Sequence, residues 1–148
     1  MRSNFFKEDK GLYVLVIRLN QNCTIQPGRL SPFRFPAGTY LYVGRAQKDL
    51  LPRLQRHFRR EKKFYWHIDY LLQKAEVEKA WVKPEDLDEC GTVTRIKEHT
   101  SDASQPVIKF GSSDCRCHSH LFYLSPSSNL EGLRKYLGFQ KGFYGNQI

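Results

Sequence analysis

No stretch of this 148-residue chain stays apolar long enough to cross a bilayer, which takes about 20 consecutive apolar residues in a helix. The opening decapeptide MRSNFFKEDK lacks the apolar core of a secretory leader, so a cytoplasmic location is expected, with no membrane partner. There is no internal repeat and no low-complexity tract, which excludes a repeat architecture. Cysteine is scarce: Cys23, Cys90, Cys115 and Cys117 are the whole supply, and in a reducing compartment they read as free thiols or metal ligands rather than a disulfide framework. Acidic residues are in deficit, 15 against 24 Lys and Arg, for a formal charge of +9. That balance points to a polyanionic partner, with nucleic acid first.

What is present suffices for a single domain with a modest core. Apolar residues make up 40% of the chain, with ten Phe and eight Tyr, which excludes a disordered chain. GLYVLVIRL (11–19) is almost continuously apolar and reads as a central strand. Pro27-Gly28, Pro32 and Pro36 punctuate 20–38 and suggest an inserted hairpin. TYLYVG (39–44) alternates aromatics as a strand does. From Asp49 the period becomes helical, with Leu51, Leu54 and Phe58 on one face and Arg53, Arg56 and Arg60 on an adjacent one.

A second helix is expected around WHIDYLLQKA, a strand over VEKAWVK, and a less legible helix over ECGTVTRIKEH, whose start Gly91 and Thr92 weaken. HLFYL reads as a short strand. Ser128 with Glu131 offers a capping box for a final helix. The order implies an α/β fold of α+β type with a small antiparallel sheet. Residues 1–148 form one domain, with a core at about 10–125 and a helical extension over 126–148.

Residues 45–63 hold eight cations (Arg45, Lys48, Arg53, Arg56, Arg59, Arg60, Lys62, Lys63) against Asp49 and Glu61, a local charge of +6. One reading is a solvated helix face; the better one is a stripe that meets nucleic-acid phosphates and displaces their counterions. Taken alone, Tyr42 reads more readily as core than as chemistry, and His57 as a surface histidine.

GLY at 11–13, YVG at 42–44 and an arginine nine residues after Gly44 resemble the GIY-YIG nuclease superfamily. YVGRAQKDLLPRLQRHF is similar to the matching segment of the bacterial excision-repair incision subunit. WHIDYLL, Glu89-Cys90 and FGSSDCRCHSHLFY resemble a branch of that superfamily sometimes fused to endonuclease III-type repair proteins. The resemblance covers about residues 10–125. It implies a mainly three-stranded antiparallel sheet flanked by helices and metal-dependent cleavage of phosphodiester bonds in DNA, in repair or processing, with Mg²⁺ or Mn²⁺ as cofactor.

Carried over residue by residue, the resemblance makes Tyr13, Tyr42, Arg53 and His57 catalytic and Glu89 the metal-binding carboxylate. It sets Arg45 beside the site; the cation stripe makes Arg45, Lys48, Arg56, Arg60 and Lys63 the nucleic-acid-binding group. Arg53 would clamp the phosphate, and a tyrosine with His57 would orient or deprotonate water. Gly44 would let backbone and ligand approach. Tyr13 and Tyr42 are separated by 28 intervening residues, longer than in many members, through the inserted hairpin. The alternative is a catalytically silent nucleic-acid-binding module of the same fold.

CRCHSH (115–120) concentrates soft ligands, Cys115, Cys117, His118 and His120, to which His67 and Cys90 could add. A structural zinc is one reading; buried cysteines beside a hydrogen-bonded histidine are favoured over it. Two further pairs, His67 with Asp69 and Asp114 with His118, are weaker candidates; His67 and Asp69 do not share a helix face.

Overall fold

The computed structural model describes residues 9–113 and 115–144. Seven strands and four helices follow one another as β1 (Gly11–Leu19), β2 (Cys23–Ile25), β3 (Phe33–Phe35), β4 (Gly38–Ala46), α1 (Leu50–Phe58), α2 (His67–Leu72), β5 (Glu76–Pro84), α3 (Glu89–His99), β6 (Leu121–Leu124), α4 (Leu130–Leu137) and β7 (Gln140–Tyr144). The fold is α+β. Its main sheet runs β6-β4-β1-β5-β7, antiparallel throughout, and β2 pairs with β3 as a separate hairpin.

β1 is apolar along nearly its whole length because both faces of the sheet are covered. Tyr13, Leu15 and Ile17 pack with Leu50 and Leu54 of α1 and Ile68 and Leu71 of α2. Leu12, Val14 and Val16 pack with Val93 and Ile96 of α3 and Leu133 and Leu137 of α4. Each fully buried aliphatic side chain of this set stabilises the fold by about 1.5–3 kcal/mol relative to exposure. The hairpin closes one end of the first layer with Ile25 and Phe35. Among the described residues, no helix is long and apolar enough to cross a membrane.

The three central strands β4-β1-β5 are extended on both edges, by the short strand at HLFYL and by β7. The C-terminal segment, read from sequence as a helical extension, thus supplies a strand as well as α4. QKGFY is short and half polar, which hides it from any pattern of alternation. The capping box at Ser128 does not form: α4 is capped by Asn129, whose side chain accepts from Gly132 N at 3.0 Å, while Glu131 pairs with Arg134.

Helix α1 depends on residues outside itself at both ends. Its N-cap Asp49 lies in the left-handed region and makes no side-chain cap. Asp9 replaces it, accepting from Asp49 N and Leu50 N at 2.9 and 3.0 Å. At the other end Lys62 Nζ donates to the carbonyls of Arg56, His57 and Arg59 at 2.8–3.1 Å. The helix ends at Phe58, so Arg60 lies beyond it rather than on a common stripe with Arg53 and Arg56.

Candidate functional site

In the β1–β4 register Tyr13 faces Gly44 and Leu15 faces Tyr42, which sets Tyr13 and Tyr42 diagonally on one face of the sheet. A Cβ at Gly44 would fall inside the Tyr13 ring. The absent side chain therefore makes room for the Tyr13 ring, and Gly44 also lines the cleft beside it. Tyr42 is fitted in the same way against Gly111, where a Cβ would meet Tyr42 Cε1 at 2.8 Å and φ is +71°. Both rings open onto a cleft of about 280 Å³ that Arg45, Arg53, Trp66 and Glu89 also line.

Tyr13 Oη and His57 Nε2 are 2.8 Å apart in a buried hydrogen bond. Burial, with Lys62 adding to it, pushes the His57 pKa down to about 3, so the ring is neutral at neutral pH. His57 Nδ1 has no partner. An unpaired buried acceptor is better tolerated than an unpaired N–H, so we assign the proton to Nε2, donating to Tyr13 Oη. The positive charge of Arg53 acts on that oxygen and favours its ionised form. The Tyr13 hydroxyl proton is then directed at the cleft. Burial raises the Tyr13 and Tyr42 pKa values, against the opposing influence of Arg53, and both phenols are protonated at neutral pH.

Arg53 and Arg56 lie over the Trp66 ring, at 4.7 and 4.5 Å from its centroid, within cation–π range. Arg53 donates to the Arg45 carbonyl at 2.7 Å, and its charge faces the cleft. Arg56 is committed elsewhere: both Asp69 oxygens accept from it at 2.9 Å and the Lys63 carbonyl at 2.7 Å. Asp69 is fully buried and also accepts from Tyr65 N and Trp66 N. Burial alone would raise its pKa; Arg56 and those two N–H groups outweigh burial and lower it.

The expected nucleic-acid-binding group therefore divides. Arg45 lines the cleft with Arg53, and exposed Lys48 joins both in an adjoining hollow. Arg56 is neutralised by Asp69. Arg60 donates to the Ala75 carbonyl at 2.9 Å, in a separate hollow against Glu76 and Glu78, and Lys63 is exposed outside the cleft. Sequence reasoning set Asp69 beside His67 and missed both its pairing with Arg56 and the place of Trp66; the run of arginines just upstream was the signal that a buried acid was needed. Tyr65, 81% exposed, stacks on Trp66 at 5.7 Å.

Glu89 is the first residue of α3. The helix start that Gly91 seemed to weaken is secured by Asp88, whose side chain accepts from Gly91 N at 2.9 Å and occupies the space a Cβ there would need. The Glu89 carboxylate lies 3.4 Å from Arg45 Nε and 3.8 Å from His120 Nδ1. His67 and Asp69 act separately, His67 Nδ1 accepting from Gly111 N at 2.9 Å; burial lowers the His67 pKa, consistent with a neutral acceptor.

Behind Glu89, single donor atoms of Cys90, Cys115, Cys117 and His120 lie within 4.8 Å of one another, an arrangement that can hold a metal ion such as zinc. His118 is not part of it. The described residues of 111–113 and 115–119 lie in turns, bends and irregular backbone rather than in a strand; His118 is exposed while His120 is buried. Cys90 takes the fourth place, its sulfur against that of Cys117 as a disulfide pair with Cα atoms 6.1 Å apart. Asp114 lies outside the described residues.

Comparison with curated proteins and with solved structures gives no match. A family model does match, over residues 12–138, from the second residue of β1 to the residue after α4. The chain belongs to that family, a domain of unknown function designated DUF123.

Proposed function

We propose that this chain is a metal-dependent endonuclease of GIY-YIG type that hydrolyses phosphodiester bonds in DNA, in repair or processing, in the cytoplasm. The observation that carries the reading is convergence. Tyr13 from β1, Tyr42 from β4, Arg53 from α1 and Glu89 from α3 line one cleft, and these are the residues the superfamily resemblance assigns to the chemistry. Arg45 and Lys48 add positive potential in and beside the cleft, suited to a phosphate backbone.

Arg53 is held by the Arg45 carbonyl, which accepts from Nη1, and on its face by Trp66, so a positioned guanidinium meets the scissile phosphate with its remaining donors and stabilises charge as it develops. Tyr13, fixed by His57, orients the attacking water through its hydroxyl; as a neutral phenol it becomes a base only when the bound substrate and its cation lower its pKa. Glu89 is the carboxylate that fits Mg²⁺ or Mn²⁺, because such ions retain several waters and accept one protein carboxylate. A divalent ion there would supply Lewis-acid stabilisation of the leaving oxygen.

The contact of Glu89 with Arg45 favours a second reading, a silent DNA-binding module whose carboxylate is satisfied by an arginine. One assay separates the two. Purified protein is incubated with Mg²⁺ or Mn²⁺ and labelled branched, nicked and single-stranded DNA, beside Arg53→Ala and Glu89→Ala. Metal-dependent cutting lost in both variants is the expected result. Binding without cutting by all three proteins would establish the silent module and remove the role given to Glu89.

A further inference from the structure

We propose that Cys90, Cys115, Cys117 and His120 hold one zinc ion, and that His120 links that ion to Glu89. Three thiolates and an imidazole are a donor set that zinc takes in closed tetrahedral sites, with Zn–S near 2.3 Å and Zn–N near 2.0–2.1 Å. A tetrahedron of those bonds has edges of about 3.8 Å between sulfurs and about 3.6 Å between sulfur and nitrogen. His120 Nε2 already lies 3.4 Å from Cys115 Sγ, and all four donors fall within 4.8 Å. Small side-chain rotations close the site. The close spacing of Cys115 and Cys117 is accommodated because residues 115–119 bend instead of forming a strand.

The two nitrogens of His120 face opposite ways. Nε2 faces the thiols and Nδ1 faces Glu89 Oε2 at 3.8 Å. A histidine that ligates zinc through one nitrogen commonly donates its other N–H to a carboxylate, which fixes both groups. Zinc on Nε2 leaves the proton on Nδ1, directed at Glu89. The ion also anchors Cys90, the residue after Glu89 in the first turn of α3. Backbone and side chain of Glu89 are thus both set from the zinc side. The catalytic value of that positioning rests on the nuclease reading; the zinc site does not.

Zinc and the Cys90–Cys117 disulfide are alternative states of the same thiols. The full-length chain is produced with zinc and purified under reducing conditions, and metal and thiols are counted by elemental analysis and mass spectrometry. One zinc per chain is expected, lost in Cys115→Ser and in Cys117→Ser. Cobalt substituted into the wild type, which needs no variant to fold, shows tetrahedral d–d bands and strong thiolate-to-cobalt charge transfer. In the zinc form, ring ¹⁵N spectra show His120 bound through Nε2 with a proton on Nδ1, and that resonance moves in Glu89→Gln. Folded, reduced wild type without zinc would overturn the site. Zinc bound through Nδ1, or a His120 signal indifferent to Glu89→Gln, would overturn the link. None of these readouts involves DNA, so they and the cleavage assay fail independently.

Discussion

Arg53 and Arg56 stand three residues apart on one helix, share the ring of Trp66, and have opposite electrostatic fates. Arg56 meets a buried carboxylate through two hydrogen bonds and ties α1 to the start of α2. Arg53 meets only a carbonyl and, among the described residues, no carboxylate forms an ion pair with it. One is scaffold; the other is available charge. A count of cations along a helix therefore measures neither potential nor binding until the buried acids are located. The half that looks inert is also what holds Trp66, and through it Arg53, in place.

Four experiments sharpen or break this contrast. The largest effect belongs to Asp69→Ala, which leaves the Arg56 guanidinium without its anion and two backbone N–H groups without an acceptor. Loss of a buried partner costs about 3–5 kcal/mol, and urea denaturation should show a drop of that size. Acid titration comes next. His57 has a folded pKa of about 3, below its unfolded value near 6.5, so below pH 6.5 the unfolded state binds a proton that the folded state refuses. Its contribution is complete above about pH 6.5 and is lost as pH falls toward 3, on the order of 5 kcal/mol in all. In His57→Gln that part of the acid limb flattens; an unchanged limb would place the acid sensitivity elsewhere.

Arg53→Ala should do the reverse of Asp69→Ala. Stability changes by less than about 1 kcal/mol, while cleavage falls about 10²–10³-fold, the size seen when one donor to a developing charge is removed. Equal damage to folding by both substitutions would erase the distinction. The smallest effect is Tyr65→Ala. This exposed ring beside Trp66 is placed to stack on an unpaired base, and its removal should weaken single-stranded DNA binding by about 1–3 kcal/mol with the melting temperature unmoved.

The parts legible from sequence are those governed by local pattern. The near-continuous apolar run of β1 marked a strand covered on both sides, and the change of period at Asp49 marked α1. The tripeptides at Tyr13 and Tyr42, with Arg53 and Glu89, named residues that one cleft brings together. What escaped was long-range and polar. Asp69 looked like one half of a weak pair with His67, because its partner is 13 residues back. Asp9 and Lys62 carry no signal as caps, since the helix they cap is started by a left-handed Asp49 that should have capped itself. His118 stood in the expected ligand set as a sequence neighbour of Cys117, whereas Cys90 joins from α3, 25 residues before Cys115.

The borrowed caps of α1 bear on how the molecule reaches its working form. A nine-residue helix is shorter than the length at which isolated helices persist in water. This one relies on an acid 40 residues before it and a lysine after it to satisfy its ends. Its stability comes from the sheet layer that packs Leu50 and Leu54 and from Asp9 alongside. Arg53 and His57 therefore gain their geometry only in the finished fold, and a nascent or half-folded chain carries the positive charge of this protein without the arrangement of its cleft.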